Sequence, residues 1–600
     1  MEKTAAVSVY KNRQGSRPSI GFILRDNMTA NFDVPMWASM VKSAQALDVN
    51  LVTYLTHPMW YSQEGLALNL GIYRQINPGV IDGLLSVDMG IPLVAEKLSH
   101  YAGFPNVVLV HPQEGYPSIV FSQDGMRMAV DHLVEVHRKK RILYIGGNKG
   151  NPEAEARLAA YRASLQSHQI DFDPALVFAA DFDNPAVAEA IIDQAIDPGQ
   201  LNFDALVCAN DLMAAAAIGA LQKHHLSVPY DIAVTGFDDD ARASSSLPPL
   251  TTVRASFGAI TSLGAQRLLQ VINLEPVPIG VETYPTELVV RQSCGCLPQS
   301  VLAASSRAFR PPKGIVLNID FVRMNQVMAE TLGRASVQLP ENWQKNLWDA
   351  FLHSLKSSRP KAFIRQLDNL ERLTLEQGAS LEQWQGVLSV MRSYAVYALS
   401  NQVANLGQHV EDLFNQGRIF TAEMTQHSSI RSGLENEDKN TRLLETIQSL
   451  LKTFSMQGLL DELSGAVSEK LAIPAVYLAL YDDPRWPPQN ARLVMGCTRE
   501  QGRLDTGRDG IVFPASRLLP DPFMPSGRRF HLVTAPLYFQ DENLGYIVFE
   551  AGPIDNQYAI LQKLVSSALK GALLSRQNDD LLNNCSEISR TPGVVSPGQA

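Results

Sequence analysis

Over residues 18–296, short and nearly unbroken apolar runs alternate with stretches whose apolar residues recur at three- and four-residue spacing. The runs are SIGFILR (19–25), NLVTYL (50–55), VIDGLLSV (80–87), NVVLV (106–110), RILYIG (141–146), ALVF (175–178), FDALVCA (203–209) and DIAVTGF (231–237). Helical stretches such as PMWASMVKSAQAL (35–47) and NDLMAAAAIGALQKH (210–224) separate most of them. Continuous apolar strands followed by helices predict parallel sheets covered on both faces. Two such sheets fit, one lobe over 18–118 and a second over 119–250, with the chain returning through 251–282 to the first lobe before ending in the second. Pro248-Pro249 and Pro285 are the predicted crossover points, because proline narrows the local backbone choices.

The pattern then changes. Residues 1–17 read as a disordered lead and 297–315 as a linker. From 316 to 454 five amphipathic stretches predict an all-α region, whose last segment, GLENEDKNTRLLETIQSLLKTFS (433–455), reads either as a signalling coiled coil or as an ordinary amphipathic helix. Residues 455–577 read as helix, antiparallel strands and helix, an α+β pattern in which Gln540-Asp541-Glu542-Asn543 is a hairpin turn. That layout resembles a GAF domain, without a motif-level match. The polar residues 578–600 read as a disordered tail.

Length and composition narrow the function. Six hundred residues suggest three or four domains. A net charge of −10 does not suit binding to nucleic acid through phosphate contacts. The one dense basic cluster, His137-Arg138-Lys139-Lys140-Arg141, reads as a solvated turn. The five cysteines make no disulfide framework. Cys294 and Cys296 form a Cys-x-Cys pair that supplies two of the four ligands a structural zinc needs, so no metal and no cofactor are expected. The first twenty residues lack the apolar core of a signal peptide, and no apolar run is long enough to span a membrane. A cytoplasmic protein is expected. Walker, dinucleotide-binding, HExxH and nucleophile-elbow motifs are absent, so an enzyme is not expected.

The polar residues at strand ends carry the candidate chemistry, since open α/β sheets bind ligands at the carboxyl ends of their strands. Arg157, in EARLAAY, follows the loop Gly146-Gly147-Asn148-Lys149-Gly150; its planar fork suits ligand hydroxyls or a carboxylate, and the alternative is a surface arginine. Asp238 ends the strand in VTGFDDD, where a carboxylate accepts from two hydroxyls; the alternative is a cap, for which Asp239 and Asp240 are better placed. Asn210 and Asp211 follow FDALVCA, and either could simply be the N-cap of the next helix. Phe32 and Trp37 in the first loop offer aromatic faces to a sugar or base, as do Trp60 and Tyr61; core packing is the alternative for each.

The order and spacing of RILYIGGNKGNPEAEARLAAY, FDALVCANDLMAAAAIGAL, DIAVTGFDDDARASSSLPPLTTVRASFGAI and PTELVVRQSCGC resemble the effector-binding domain of LacI/GalR-type regulators. The resemblance implies an α/β, two-lobed periplasmic-binding-protein type I fold. It also implies effector contacts at Arg157, at Asp238 and at Asp211, and it puts Trp37 where an aromatic residue is common. At Phe121 relatives often have an aspartate, so the resemblance implies that a polar effector contact is exchanged here for an aromatic stacking surface. The amino-terminal DNA-binding helices of such regulators are missing, so direct DNA binding is not expected. GNPEAEARLAAYRASL and PTELVVRQSCGC look closest to the branch joined to signalling modules. The expectation is a ligand-responsive regulator that binds a small molecule, a sugar or derivative, between its lobes, acts as a homodimer and hands closure to a kinase, cyclase or transcription partner. The alternatives are a solute-binding protein for uptake and a truncated sensor half of a histidine kinase or diguanylate cyclase.

Overall fold

The computed structural model describes residues 17–25, 32–56, 71–87, 104–196, 202–297, 321–333, 337–357, 359–399, 404–453, 455–466, 470–482, 488–554 and 556–588. Trp60 and Tyr61 lie outside them, as do the lead through residue 16, most of the linker, and 589–600.

The first lobe contains β1 (Ser19–Arg25), α1 (Asp33–Ala46), β2 (Asn50–Thr56), β3 (Gly83–Ser86), β4 (Asn106–Leu109) and β5 (Ser118–Phe121). The second contains α2 (Asp124–Glu135), β6 (Ile142–Gly146), α3 (Pro152–Ser167), β7 (Val177–Ala179), α4 (Pro185–Ala195), β8 (Ala205–Cys208), α5 (Asp211–Lys223), β9 (Ala233–Asp238), α6 (Ala241–Ser245) and β10 (Thr251–Arg254). The chain returns to the first lobe as α7 (Phe257–Ile272) and β11 (Val281–Tyr284), then ends in the second as β12 (Glu287–Val289). Local signals set these helices. Asn151 and Asn184 accept backbone N–H groups at the starts of α3 and α4, each followed by a proline at the first helical position.

The second sheet runs β12-β10-β9-β8-β6-β7, parallel except for the β10–β12 pair. The lobe limits differ from the expectation. β5 belongs to the first sheet, so that lobe extends to Phe121 before crossing. Pro248-Pro249 precede β10, which still pairs with β9, so the return crossing falls at Ala255-Ser256. Pro285 does lie at a crossing, between β11 and β12.

Beyond the lobes, α8 (Phe321–Leu332), α9 (Trp343–Ser357), α10 (Lys361–Glu376), α11 (Glu382–Leu399) and α12 (Ala404–Leu450) form a helical unit. Its core is separate and aromatic, with Trp348, Phe351, Phe363, Trp384 and Phe414. The two last amphipathic segments are one continuous helix of 47 residues, about 70 Å long. Its start packs on the helical unit, and its end meets α13 (Met456–Gly465) of the final unit.

The final unit adds β13 (Ala475–Tyr481), β14 (Asn490–Thr498), β15 (Gly502–Arg503), β16 (Ile511–Pro514), β17 (His531–Phe539), β18 (Glu542–Glu550) and α14 (Gln557–Ile588). Its strands pair antiparallel, and Gln540 takes a positive φ of 54° in the β17–β18 turn. Because α14 continues to Ile588, a disordered tail from 578 is corrected for that stretch.

The first lobe and the final unit share one sheet. Its order is β11-β5-β4-β3-β1-β2-β17-β18-β13-β14-β15, with β16 also on β14. The junction is the parallel pair β2–β17, in register from Leu51 opposite His531 to Tyr54 opposite Thr534. An edge strand otherwise leaves a row of backbone groups unpaired; here β17 covers it. Below the junction, Val52, Tyr54, Ile76 and Leu84 share a core with Ala475, Leu532, Tyr546 and Val548.

Candidate functional site

The residues with the strongest candidate chemistry meet at the carboxyl ends of β6, β8 and β9. Asn151 starts α3 so that Arg157 falls in its second turn, pointing back toward the sheet. Arg157 is only 4% exposed, so it is not a surface arginine. One guanidinium nitrogen donates to the carbonyl of Ala209 at the end of β8. Another lies 3.6 Å from Asp238 Oδ1 and 3.5 Å from Glu153 Oε2. The guanidinium carbon sits 3.9 Å from the centre of the Phe237 ring and 5.4 Å from that of Phe182. A cation enclosed by aromatic faces is held in place without using up its donors. Arg157 Nε and Asp238 Oδ1 are buried and have no hydrogen-bond partner within the protein. Buried polar groups are nearly always paired, so two such atoms on facing, opposite charges single this pair out.

Asp238 is held under two strains. Its φ is 105°, a backbone conformation costly for a non-glycine residue. Burial pushes its carboxyl up to about 7, against the pull of Arg157. The next residue keeps this conformation in place: Asp239, also at positive φ, pairs with Arg254 at 2.7 Å and with Arg291 at 2.7 Å. A Cβ on Gly147 would lie 2.2 Å from the Phe182 ring, so glycine is needed there to admit the ring that stands beside Arg157.

Three of the expected contacts are engaged within the protein itself. Asn210 is the N-cap of α5: its Oδ1 accepts from the Met213 N–H at 2.9 Å and its Nδ2 donates to the Phe182 carbonyl at 2.9 Å, so both ends of the amide are engaged. Asp211 is fully buried and accepts from the Thr252 hydroxyl at 2.6 Å and from the Asp240 N–H at 2.9 Å. It braces the β9–α6 loop. Burial, then the charge of Asp238, raises its carboxyl well above the usual range, against the Thr252 and Asp240 hydrogen bonds. Trp37 is fully buried at the sheet junction. Its indole N–H donates to His531 Nε2 at 3.2 Å and its ring packs on His531 and Tyr558, so no face is left for a ligand.

Phe32 and Phe121 sit together with a residue that sequence reading missed. Phe257 packs edge-on to Phe32 at 4.7 Å and to Phe121 at 5.1 Å, and Phe121 also meets Tyr284. Phe121 is 4% exposed, so its ring is packing rather than an open stacking surface. Phe257 follows the crossing directly after Ala255, whose N–H donates to the Asp238 carbonyl. Phe182, Phe237 and Glu153 were also missed. A phenylalanine beside a strand-end aspartate, as in GFD, was the one available signal for Phe237. The Cys294–Cys296 pair, expected to offer two ligands only, has His132 and His137 beside it.

Two parallel-stranded lobes joined by three crossings, with a strained charged pair at the strand ends, define a domain of the effector-binding class. The comparisons agree. The description "periplasmic binding protein-like domain" matches residues 130–294. Over 244 residues the chain is 30% identical to the HTH-type transcriptional repressor MelR of Bacillus subtilis, covering 38% of this chain and 67% of that one. Over 200 residues it is 32% identical to the lactose operon repressor of Escherichia coli, covering 33% and 53% respectively. Among solved structures it is similar to the lac repressor dimer bound to operator and the anti-inducer ONPF, at 24% identity and a TM-score of 0.41, covering 47% of this chain and 95% of that one. It is also similar to a complex of the transcriptional regulator CelR with cellobiose, at 27% identity and a TM-score of 0.39, covering 46% and 85%. Through its periplasmic-binding-protein-like domain, the chain belongs to the LacI/GalR family of regulators. It spans about two thirds of the MelR repressor and about half of the lactose operon repressor. These relatives are transcriptional regulators, not enzymes. No helix among the described residues is long and apolar enough to cross a membrane.

Proposed function

We propose that this protein is a cytoplasmic, ligand-responsive regulator that binds a small polyhydroxylated molecule, a sugar or sugar derivative, between its two lobes. The observation that carries this reading is the facing pair Arg157 and Asp238, each with a buried atom that lacks a hydrogen-bond partner. A cation that donates and a carboxylate that accepts suit vicinal hydroxyls, and neither can be left dry without cost. The relatives include a lactose operon repressor and a regulator whose solved complex contains cellobiose, which favours a sugar.

Closure of the lobes shifts an open–closed equilibrium only by the ligand's differential affinity. Moving it from 1:99 to 99:1 takes about 5.5 kcal/mol. A few charge-assisted hydrogen bonds and a stacked ring are of that size. The output travels through the first lobe, whose sheet is continuous with the final unit, and from there to α12, which joins that unit to the helical region. The final unit serves as a GAF-like signalling module, and the assembly acts as a homodimer on a kinase, cyclase or transcription partner.

The test is a thermal-shift screen of the full chain against sugars, sugar phosphates and nucleosides. Ligand at 100 times Kd stabilises by about 2.7 kcal/mol. A stabilising sugar whose effect disappears in Arg157→Ala supports the reading; a hit that survives both Arg157→Ala and Asp238→Ala overturns the site. The family also favours direct transcriptional repression as a second reading. A mobility-shift assay at stated salt separates the two, because phosphate contacts weaken steeply with salt.

A further inference from the structure

We propose that His132, His137, Cys294 and Cys296 form a Cys2His2 site for zinc that clips the end of the effector-binding domain to its second lobe. The four residues come from two places in the chain. His132 lies in the last turn of α2 and His137 just past its end, while the two cysteines form the turn after β12. Their ligand atoms all lie within 4.8 Å of one another. His132 Nε2 is 3.4 Å from Cys294 Sγ and 3.6 Å from Cys296 Sγ, and His137 Nε2 is 3.3 Å from Cys296 Sγ. A tetrahedron with Zn–S of about 2.3 Å and Zn–N of about 2.05 Å has nitrogen–sulfur edges of about 3.6 Å. The three short nitrogen–sulfur distances therefore match tetrahedral edges, and a small inward movement of the remaining ligand atoms completes the set.

Three features beyond the distances favour a built site. Gly295 takes φ of +108°, which lets the Cys-Gly-Cys turn bring both thiols to one side, and a Cβ on it would lie 3.2 Å from the His137 ring. The Thr251 hydroxyl lies 3.1 Å from Cys294 Sγ and donates to it, the kind of outer contact that steadies a thiolate ligand. Two thiolates and two neutral imidazoles also cancel the charge of Zn²⁺. A neutral complex can sit at a partly buried place, as this one is, where an isolated charge could not. On binding, each thiol gives up its proton to solvent, so up to two protons are released per metal.

The clip lies one residue before Leu297, where the described part of the domain ends. It is also linked to the sensing pair through Arg291. Arg291, three residues before Cys294, holds Asp239, and Asp239 adjoins Asp238. Zinc bound here would fix both the exit of the chain and the strap that braces the ligand-binding loop.

The test uses the full chain, purified without a histidine tag, reduced, incubated with zinc and desalted. Mass spectrometry of the metal should find about one zinc per chain. Cobalt substitution should give visible bands of a tetrahedral ion together with a thiolate-to-cobalt charge-transfer band. Cys296→Ser and His137→Gln should each weaken binding by more than the ten- to hundredfold of an outer-contact change, and Cys296→Ser should remove or halve the charge-transfer band. His224→Gln, at a histidine paired with Asp193 elsewhere, should change neither. His137→Gln keeps the test alive if Cys296→Ser does not fold. A reduced, folded chain that takes up no zinc overturns the proposal. So does a cobalt spectrum without thiolate character, or metal retained in both variants.

Discussion

The indole N–H of Trp37 donates to the Nε2 of His531 across 3.2 Å, between residues 494 positions apart. The Thr53 hydroxyl lies 3.0 Å from the same nitrogen. An indole N–H can only donate, so Nε2 accepts, the hydroxyl donates as well, and the imidazole is neutral with its proton on Nδ1. This small network sits where the first lobe's sheet becomes the final unit's sheet. It ties the lobe that would move on ligand binding to the unit that would report the movement.

Trp37→Ala should therefore cost stability and leave the sensing pair intact. A buried tryptophan truncated to alanine costs about 3–5 kcal/mol. Urea denaturation of the full chain reads that loss, and titration with a ligand found by the screen should show an unchanged Kd. A large loss of affinity with little loss of stability would return Trp37 to the ligand site.

His531 gives the junction a pH dependence of known sign. Burial lowers its pKa from 6.5 to about 3. Between those values the unfolded chain binds the proton and the folded chain does not, so stability falls as the pH falls through this window. His531→Phe removes that contribution but strands the Trp37 N–H, at about 1–3 kcal/mol. The variant should be less stable at pH 8, and the gap to the native chain should narrow toward pH 4. Thermal midpoints measured across that range check it; a gap that stays constant would mean that His531 does not titrate in the window.

Asp238→Asn should stabilise the ligand-free protein while abolishing its response. Burial raises the Asp238 carboxyl from 3.8 to about 7. The folded state therefore prefers the protonated form, and stability is lost as pH rises from about 4 through about 7. Asparagine has no charge to desolvate and tolerates positive φ. The gain should be on the order of 1 kcal/mol at pH 8 and small at pH 4. Denaturation at both values measures it, and a variant that is less stable at pH 8 would contradict the strained-pair account.

A chain ending at Leu297 should self-associate. Cutting there removes β17 and exposes the β2 edge together with Trp37, Val52 and Tyr54, which the final unit covers. Unpaired apolar edges pair with other copies. Light scattering after size-exclusion chromatography should show concentration-dependent oligomers for the piece. A piece that stays monomeric at high concentration would show that the edge is protected by something other than β17.

Much of the fold was legible because the strands of both lobes are buried on two faces and read as unbroken apolar runs. The runs at 19–25, 50–55 and 106–110 correspond closely to β1, β2 and β4. The strands that escaped, β5, β10, β11 and β12, are three or four residues long and lie beside the crossings, where a short run carries no period. Asp238 stood out as the first charge at the end of the apolar strand β9, whereas Arg157, in the second turn of α3, was singled out from a surface arginine by the family resemblance. Asp211 looked like Asp238 in sequence but is consumed by Thr252, which lies 41 positions further on.

The sequence alone, through the period of its apolar residues and its caps, determined which segments become strands and helices and which charges stand at strand ends. These are local properties, set by backbone geometry and by how one side of a short segment avoids water. Only the tertiary structure decided which edges meet and which side chains converge. It took Trp37 from the cleft to the junction with His531, continued one sheet through two units, and set two histidines against two cysteines more than 150 positions away. Such contacts depend on packing between distant surfaces, and no local pattern in the chain encodes them.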